Sequence, residues 1–459
     1  MRDLPAQFPR DPWCRAGTRL MLTMGGETGS CFLGLTPDGV QPGRDMLARL
    51  SVWKEGKQQP DRAAQEDGAI VLRAEGGCVR LCLGFPERLM IEGEGVSLLI
   101  GKGRAVGMFM SGGSAVDDPL PGALYVNAGA RMRILPKTGS VEVRSAWNLN
   151  ALSDPEPQIF LHPDDSGVLS AAVYVTDFDE KPAEAETAEA GEDFERFLKG
   201  LTAYPADGET LHAAYVVWTC LQPARRLADP QIAAPLYVSN RRTLGTAILS
   251  DNVLLAALLD DPAEAARQLG AFLPYVSDGG LLPREVSNRS RLYEAETPYF
   301  GVVLRARPDV LAALTEADHE ALKRALDWWI RERWCPEKKQ FFYLHRYEPG
   351  LGKQPAPEAL AELDPLLNAC MRLWLEAMAE LADKLGKPDE AKLFFAFASG
   401  LPDALPAEEP VPAALELPLL LAGDEAIRPA LARRVRGREL SSLRGALTAL
   451  AAGLLEGGR

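Results

Sequence analysis

The chain has 459 residues, of which 47% are hydrophobic and 25% are charged, a balance typical of globular proteins. It carries 50 Lys and Arg residues against 64 Asp and Glu residues, so its formal net charge is −14. Nucleic acids and anionic membranes bind clustered positive charge, so this balance disfavours both as partners. Neutral ligands such as sugars remain open. The length predicts two or three domains.

The N-terminal segment MRDLPAQFPRDPW lacks the apolar stretch of a secretory signal peptide, and no apolar run is long enough to span a bilayer. We therefore expect a cytoplasmic protein. Seven scattered cysteines and only four histidines offer no metal-ligand spacing, so we expect neither a metal nor a cofactor. Cys78 and Cys82 lie in a strand-like segment, and we expect reduced, buried thiols there.

Short alternating segments separated by Gly, Pro and Asp fill the first part of the chain. Examples are AIVLRA at 69–74 and SAAVYVTDF at 170–178. Many short strands without intervening helices predict an antiparallel β-sandwich over residues 1–180. The acidic, Ala-rich segment 181–197 reads as a linker that runs into the start of a helix.

From 198 to 459 the apolar residues recur at helical spacing. In the segment 363–387 they form one stripe, and Gly386 stands where a C-cap belongs. Thr315 and Asp318 have the spacing of a capping box at the start of another helix. We expect about eight or nine helices between 206 and 455, with loops that build a site.

Charged and aromatic residues concentrate on loop segments of this helical part. Carboxylates and arginines bind sugar hydroxyls, aromatic faces stack on pyranose rings, and carboxylates carry out acid/base chemistry. The segments therefore suit a carbohydrate, although for any single charge a solvated surface position is the favoured interpretation. The candidate site residues are Arg241, Arg242, Asp251, Glu285, Glu294, Glu296, His345 and Glu348.

The order of these segments resembles that of the six-hairpin glycosidases, the group around bacterial trehalase, processing α-glucosidase and mannosylglycerate hydrolase. SNRRTLGTAILSDN at 239–252 is similar to the family segment in which a strand with an Arg runs into a sugar-binding Trp-Asp pair. Asp251 matches that Asp, whereas Ser250 stands in place of the Trp.

Further motifs follow in the family's order. The family has an acidic residue and a Pro, then a helix, then the motif D-G-x-x-P. The segment 260–283 matches this order apart from one extra Gly, with the sequence DDPAEAARQLGAFLPYVSDGGLLP. Thr297-Pro298 matches the start of a T-x-P-P segment, and Leu363-Asp364 leads the next helix. The resemblance implies a β-sandwich followed by an α/α toroid of helical hairpins. It also implies inverting hydrolysis of an α-linked carbohydrate, with Asp251 holding the sugar.

Two departures concern the catalytic groups. The family's acid loop is E-S-G-x-D-x-x-P, in which the Asp is the general acid. In HRYEPGLGKQP at 345–355 the Glu is Glu348 and the Pro is Pro355, but the acid position is Gly352. The family's general base follows a Trp-rich segment, and this chain has no Trp after Trp374. We therefore expect a toroid shortened at its C-terminus, without the base region.

Three hypotheses follow. The first is a hydrolase that uses relocated carboxylates, with Glu348 as acid; inverting enzymes need two carboxyl groups about 6.5–9.5 Å apart. The second is a catalytically inactive protein that still binds a carbohydrate. The third is a scaffold subunit, in which the open edge of a shortened toroid exposes apolar helix faces and pairs with another chain, such as a second copy.

Overall fold

The chain divides into two compact units, one formed by Met1–Arg196 and one by Phe197–Arg241 with Gly245–Arg459. A computed structural model provides the structure, and it shows antiparallel sheets followed by helices, so the predicted fold class is confirmed. It describes residues 13–14, 20–25, 30–35, 46–59, 62–66, 69–84, 88–102, 114–117, 122–127, 130–144, 158–177, 190–222, 236–238, 246–287, 290–344, 365–401, 413–423, 428–436, 440 and 443–457.

The first unit contains sixteen described strands in two antiparallel sheets. The first sheet has the order β1-β2-β3-β4-β10-β15-β14, with β5 beside β4, and the second has the order β11-β12-β13-β16-β9-β8-β7-β6. The strands are β1 Trp13–Cys14, β2 Leu20–Gly25, β3 Ser30–Leu35, β4 Met46–Lys54, β5 Lys57–Gln58, β6 Arg62–Glu66, β7 Ala69–Ala74, β8 Gly77–Gly84, β9 Arg88–Glu94, β10 Ser97–Lys102, β11 Ser114–Asp117, β12 Ala123–Asn127, β13 Ala130–Thr138, β14 Ser140–Val143, β15 Gln158–His162 and β16 Val168–Asp177.

Both sheets turn alternate residues into one hydrophobic core, which is the packing of a sandwich. Leu98 and Ile100 of β10 belong to the same buried cluster as Leu81 and Leu83 of β8. The residues between them therefore lie on the outer faces.

The alternation corrects one expectation about the cysteines. Cys78 and Cys82 are free thiols, but they lie on the outward face of β8 and are partly exposed rather than buried. Because side chains alternate along a strand, two residues four positions apart lie on the same face. Both cysteines therefore lie on the face of β8 opposite to that of the buried Val79 and Leu81.

The helices are α1 Ala190–Lys199, α2 Gly208–Thr219, α3 Leu249–Leu255, α4 Pro262–Leu269, α5 Phe300–Ala306, α6 Pro308–Ala313, α7 Glu316–Arg333, α8 Pro365–Lys384, α9 Pro388–Ala398, α10 Ala413–Ala422, α11 Arg428–Val435 and α12 Leu443–Gly457. Between them lie two-residue strands, β17 Leu221–Gln222, β18 Leu236–Tyr237, β19 Ala247–Ile248, β20 Glu285–Val286, β21 Arg291–Leu292, β22 Trp334–Cys335 and β23 Gln340–Phe341. No described helix combines the length and apolar character that crossing a bilayer requires.

The predicted helix ends are confirmed, whereas the predicted number of helices is wrong. Thr315 and Asp318 form both bonds of a capping box before α7, and Gly386 after α8 has a φ of 74°. The described residues contain eleven helices from α2 to α12, more than the eight or nine expected. Helices as short as α3 and α6 span too few turns to show a helical period.

The inner helices of the second unit pack in a closed cycle. α3 contacts α5, α5 contacts α10, α10 contacts α12, and α12 contacts α3. Outside this cycle α2 packs on α12, α4 on α3 and α8 on α5. Among the described residues this two-layered arrangement is that of a toroid of helical hairpins. The expected shortening at the C-terminus stays a prediction.

We expect Gly301→Ala to lower the free energy of unfolding by about 2–3 kcal/mol, as measured by urea denaturation. A Cβ at Gly301 in α5 would lie 2.1 Å from the backbone nitrogen of Trp374 in α8. Since backbone cannot move aside, the two helices must separate. Gly400→Ala is the matched control, because its Cβ would meet nothing closer than 3.9 Å. Wild-type stability of Gly301→Ala would contradict the close crossing of α5 and α8.

Candidate functional site

Half of the predicted site residues lie in the described part of the chain. These are Asp251, Glu285, Glu294 and Glu296. The other four, Arg241, Arg242, His345 and Glu348, lie outside the described residues, as does Gly352 at the family's acid position.

Asp251 forms a buried ion pair with Arg444. Asp251 is the third residue of α3 and is 4% exposed, and the Nε of Arg444 in α12 donates to its Oδ1 at 2.5 Å. Burial lowers the pKa of Arg444, but the negative charges around it, first that of Asp251, outweigh burial and raise this pKa above its usual value. The Arg444 side chain is 22% exposed, so the arginine is not fully enclosed by protein.

Ser250 joins this pair to Glu296. The Nη2 of Arg444 donates to Ser250 Oγ at 2.8 Å, and Ser250 Oγ donates to Glu296 Oε1 at 2.6 Å. A hydroxyl accepts and donates at once, which an indole cannot do. The departure from the family's Trp is therefore explained, because Ser250 links two charged groups.

Glu296 caps α3 from a distant part of the chain. The N-cap residue Ile248 has no side-chain acceptor, and the backbone N–H of Ser250 donates to Glu296 Oε2 at 3.2 Å. The positive end of the helix favours a carboxylate at this place. Burial nevertheless raises the pKa of Glu296 to about 7, against the bonds from Ser250 and the charge of Arg444. This carboxyl group therefore exchanges its proton near neutral pH.

Three inner helices begin at this cluster. Asp251 lies in the first turn of α3, Arg444 is the second residue of α12, and Tyr299 is the N-cap residue of α5. The Arg444 guanidinium lies over the Tyr299 ring, 5.5 Å from its centroid. We name Ser250, Asp251, Glu296, Tyr299 and Arg444 the central cluster. Its carboxylates are placed where the positive ends of helix dipoles converge.

Glu285 and Glu294 lie beside the start of α3 but pair with a different arginine. Glu285 in β20 is opposite Ile248 of β19 in the sheet. The Nη1 of Arg284 donates to Glu294 Oε2 at 2.7 Å, and its Nη2 lies 3.5 Å from Glu285 Oε1. All three side chains are partly exposed. They form an ion-pair group at the surface.

Tyr343 ties the segment that leads toward the predicted acid loop to the segment after Glu296. Its hydroxyl lies 2.7 Å from Thr297 Oγ1, and both side chains are buried. The Tyr343 ring also packs edge-on against Trp329 of α7, with centroids 6.2 Å apart. His345 follows Tyr343 by two residues and lies outside the described part of the chain.

Two buried asparagines fix the strands that lead into the predicted loops. Asn252 and Asn368 are each the fourth residue of their helix, α3 and α8. Asn252 accepts from the backbone N–H of Tyr237 at 2.8 Å and donates to its carbonyl at 2.9 Å. Asn368 forms the same two bonds with Phe341, at 2.7 and 3.0 Å. The strand before Arg241 and the strand before His345 are thus held in the same way.

The sequence analysis missed Arg444, Arg284 and both asparagines. Arg444 lies 193 residues from Asp251, so no local pattern connects them. One signal was present, since Arg444 interrupts the otherwise apolar start of LRGALTALAAGLLEG. Across the part of the chain that the structure describes, no group of three His, Cys, Asp or Glu residues is placed to hold a metal ion.

Comparison with protein-family models and with curated proteins found no match. Several solved structures do match. A bacterial glucoamylase complexed with acarbose gives a TM-score of 0.49 and 11% identity over 85% of this chain and 67% of that chain. A family GH92 inverting mannosidase from Bacteroides thetaiotaomicron gives a TM-score of 0.42 and 12% identity over 86% of this chain and 62% of that chain. A rhamnosidase from Klebsiella oxytoca with rhamnose bound gives a TM-score of 0.36 and 12% identity over 98% of this chain and 85% of that chain.

The chain spans about two thirds of the glucoamylase and less than two thirds of the mannosidase. At these identities and TM-scores the matches carry no argument about this chain.

We expect Arg444→Met to destabilise the protein by about 2–4 kcal/mol. The change leaves the Asp251 carboxylate buried without its cation; breaking a fully buried pair costs about 3–5 kcal/mol, and the partial exposure of Arg444 reduces this. Urea denaturation of Arg444→Met, Asp251→Asn and the double variant measures the coupling. If the two single losses simply add, the ion pair does not act as a unit.

Glu296 predicts a pH dependence of stability. Its pKa rises from 4.5 to about 7 on folding. Between these values the folded protein binds a proton that the unfolded chain has released, so stability falls as pH rises from about 4.5 to about 7. Between pH 4.5 and pH 8 we expect the free energy of unfolding of the wild type to fall by up to about 3 kcal/mol more than that of Glu296→Gln, measured by urea denaturation. Parallel profiles of the two proteins would exclude the raised pKa.

Proposed function

We propose that the helical unit is a glycoside hydrolase-like domain that binds an α-linked carbohydrate at the Asp251–Arg444 pair and hydrolyses it slowly or not at all. The observation that carries this proposal is the pair itself. A buried carboxylate is bound to an arginine whose side chain is 22% exposed, where three helices of the closed cycle begin.

Such a pair suits a neutral ligand with many hydroxyl groups. A carboxylate accepts hydrogen bonds and a guanidinium donates them, so neighbouring sugar hydroxyls find a partner for each role. Because the two charges neutralise each other, an anionic or cationic ligand gains little from them. The motif order of the sequence supports the same ligand class, since Asp251 matches the family's sugar-binding Asp.

Slow hydrolysis follows from the bonds of the two buried carboxyl groups. Asp251 is bound to Arg444, and both oxygens of Glu296 accept hydrogen bonds from Ser250. The family's acid position is Gly352, which has no side-chain proton. Each missing acid or base costs about 10²–10⁴ in rate.

A second candidate function is glycoside hydrolysis with Glu296 as the proton donor. It is favoured by the pKa of about 7, since a carboxyl group kept partly protonated at neutral pH is what a general acid requires. The scaffold hypothesis stays a prediction, since the packing of α12 on α2 does not test whether the unit pairs with a second copy.

Isothermal titration with a panel of α-linked gluco- and manno-oligosaccharides tests the proposal. We expect at least one sugar to bind the wild type and Asp251→Asn to weaken that binding at least about tenfold, or 1.4 kcal/mol. Glu416→Gln is the matched control, since Glu416 of α10 is as buried as Asp251 and pairs with Arg434 of α11 at 3.1 Å. Loss of binding in both variants, or no binding by the wild type, would contradict the proposal.

Release of monosaccharide from the same panel separates the two candidates. We expect little release by the wild type and little gain in Gly352→Asp, because restoring an acid does not supply a base. Turnover that Glu296→Gln abolishes, while sugar binding is kept, would establish the hydrolase instead.

A further inference from the structure

The outward face of the first sheet carries a second group of reactive side chains. Ser97 of β10, His162 of β15 and Glu142 of β14 lie on neighbouring strands, and the core residues Leu98, Leu161 and Val141 alternate with them. Sheet register therefore brings together three residues that lie 65 and 20 positions apart.

These side chains form a continuous hydrogen-bond chain. Ser97 Oγ lies 3.0 Å from His162 Nδ1, and His162 Nε2 lies 2.9 Å from Glu142 Oε2. Because an ionised carboxylate only accepts, the proton of a neutral His162 belongs on Nε2. Nδ1 then accepts from the Ser97 hydroxyl, which is the arrangement of a nucleophile, a base and an orienting acid.

The histidine and the carboxylate are both held in place. Arg144 donates to both oxygens of Glu142, at 2.8 and 3.3 Å. Hydrogen bonds from Arg144 and then from His162 hold the pKa of Glu142 at about 2, so it stays ionised at neutral pH. The His162 ring stacks on the Phe160 ring, and the two ring planes are 3° from parallel. The Arg144 guanidinium also lies over the Phe160 ring, 4.0 Å from its centroid.

We propose that Ser97, His162 and Glu142 form a nucleophilic relay that reacts with activated esters. Ser97 and His162 are partly exposed, so a dissolved ester reaches the hydroxyl. Trp53 lies opposite Ser97 on β4, and Leu99 follows on the same face, so apolar surface borders the serine. This surface favours small acyl or aryl groups. The site lies in the first unit and does not rest on the proposed carbohydrate binding.

The reaction is acyl transfer. Ser97 Oγ bonds to the ester carbonyl carbon while its proton passes to His162 Nδ1, and the leaving aryl oxide takes that proton as its C–O bond breaks. The water oxygen then bonds to the acyl carbon while His162 takes one water proton, the bond between the acyl carbon and Ser97 Oγ breaks as Ser97 Oγ takes that proton, and the carboxylic acid leaves. Because β10 is paired on both sides, its backbone N–H groups are engaged in the sheet and do not stabilise an oxyanion, so we expect both acylation and turnover to be slow.

Labelling with a fluorophosphonate tests the relay on the full chain. Ser97 Oγ would bond to phosphorus, fluoride would leave, and the serine proton would pass through His162 to solvent. We expect intact-mass spectrometry to show one adduct per chain, peptide mapping to place it on Ser97, and Ser97→Ala to abolish it. His162→Gln should slow labelling by about 10²–10⁴, as expected for loss of the base.

Ser140→Ala is the control, because Ser140 lies opposite His162 on β14 rather than β10. It should label at the wild-type rate, and near-ultraviolet and far-ultraviolet circular dichroism should show that every variant is folded. An unlabelled wild type, or an adduct retained in Ser97→Ala, would overturn the proposal. Equal rates for the wild type and His162→Gln would show that the serine reacts without the relay.

Discussion

The ion pair between Asp251 and Arg444 is the constraint on which the helical unit depends. A charge that folding buries must meet an opposite charge or hydrogen-bonding partners, and Asp251 meets Arg444 where the start of α12 lies beside the start of α3. That contact closes the cycle of inner helices. Ser250 extends the network to Glu296, so one network of polar side chains fixes the relative positions of segments far apart in sequence.

Periodicity predicted the fold class, because apolar spacing directly reflects which face a strand or helix buries. The strand at 69–74 and the long stripe of α8 were both read in this way, and local chemistry predicted the capping box at Thr315 and the Gly386 C-cap. Helices of six or seven residues escaped prediction because their length is set by tertiary packing rather than by a pattern of their own.

The candidate site was predicted only in part. Asp251 and Glu296 were predicted from the segments that contain them, although Asp251 lies in α3 rather than on a loop. Arg444 was not predicted, since its contact with Asp251 spans 193 residues. The raised pKa of Glu296 likewise comes from burial, which no motif records. Ser97, His162 and Glu142 were missed for the same reason, because they meet only through the register of three strands.

A crystal structure of the protein with an α-linked oligosaccharide that titration shows to bind tests carbohydrate binding at the Asp251–Arg444 pair most directly. We expect sugar hydroxyls within hydrogen-bonding distance of Asp251 and Arg444, with the ion pair kept and the glycosidic bond intact. A sugar bound elsewhere on the chain, or one cleaved beside Glu296, would contradict this binding site.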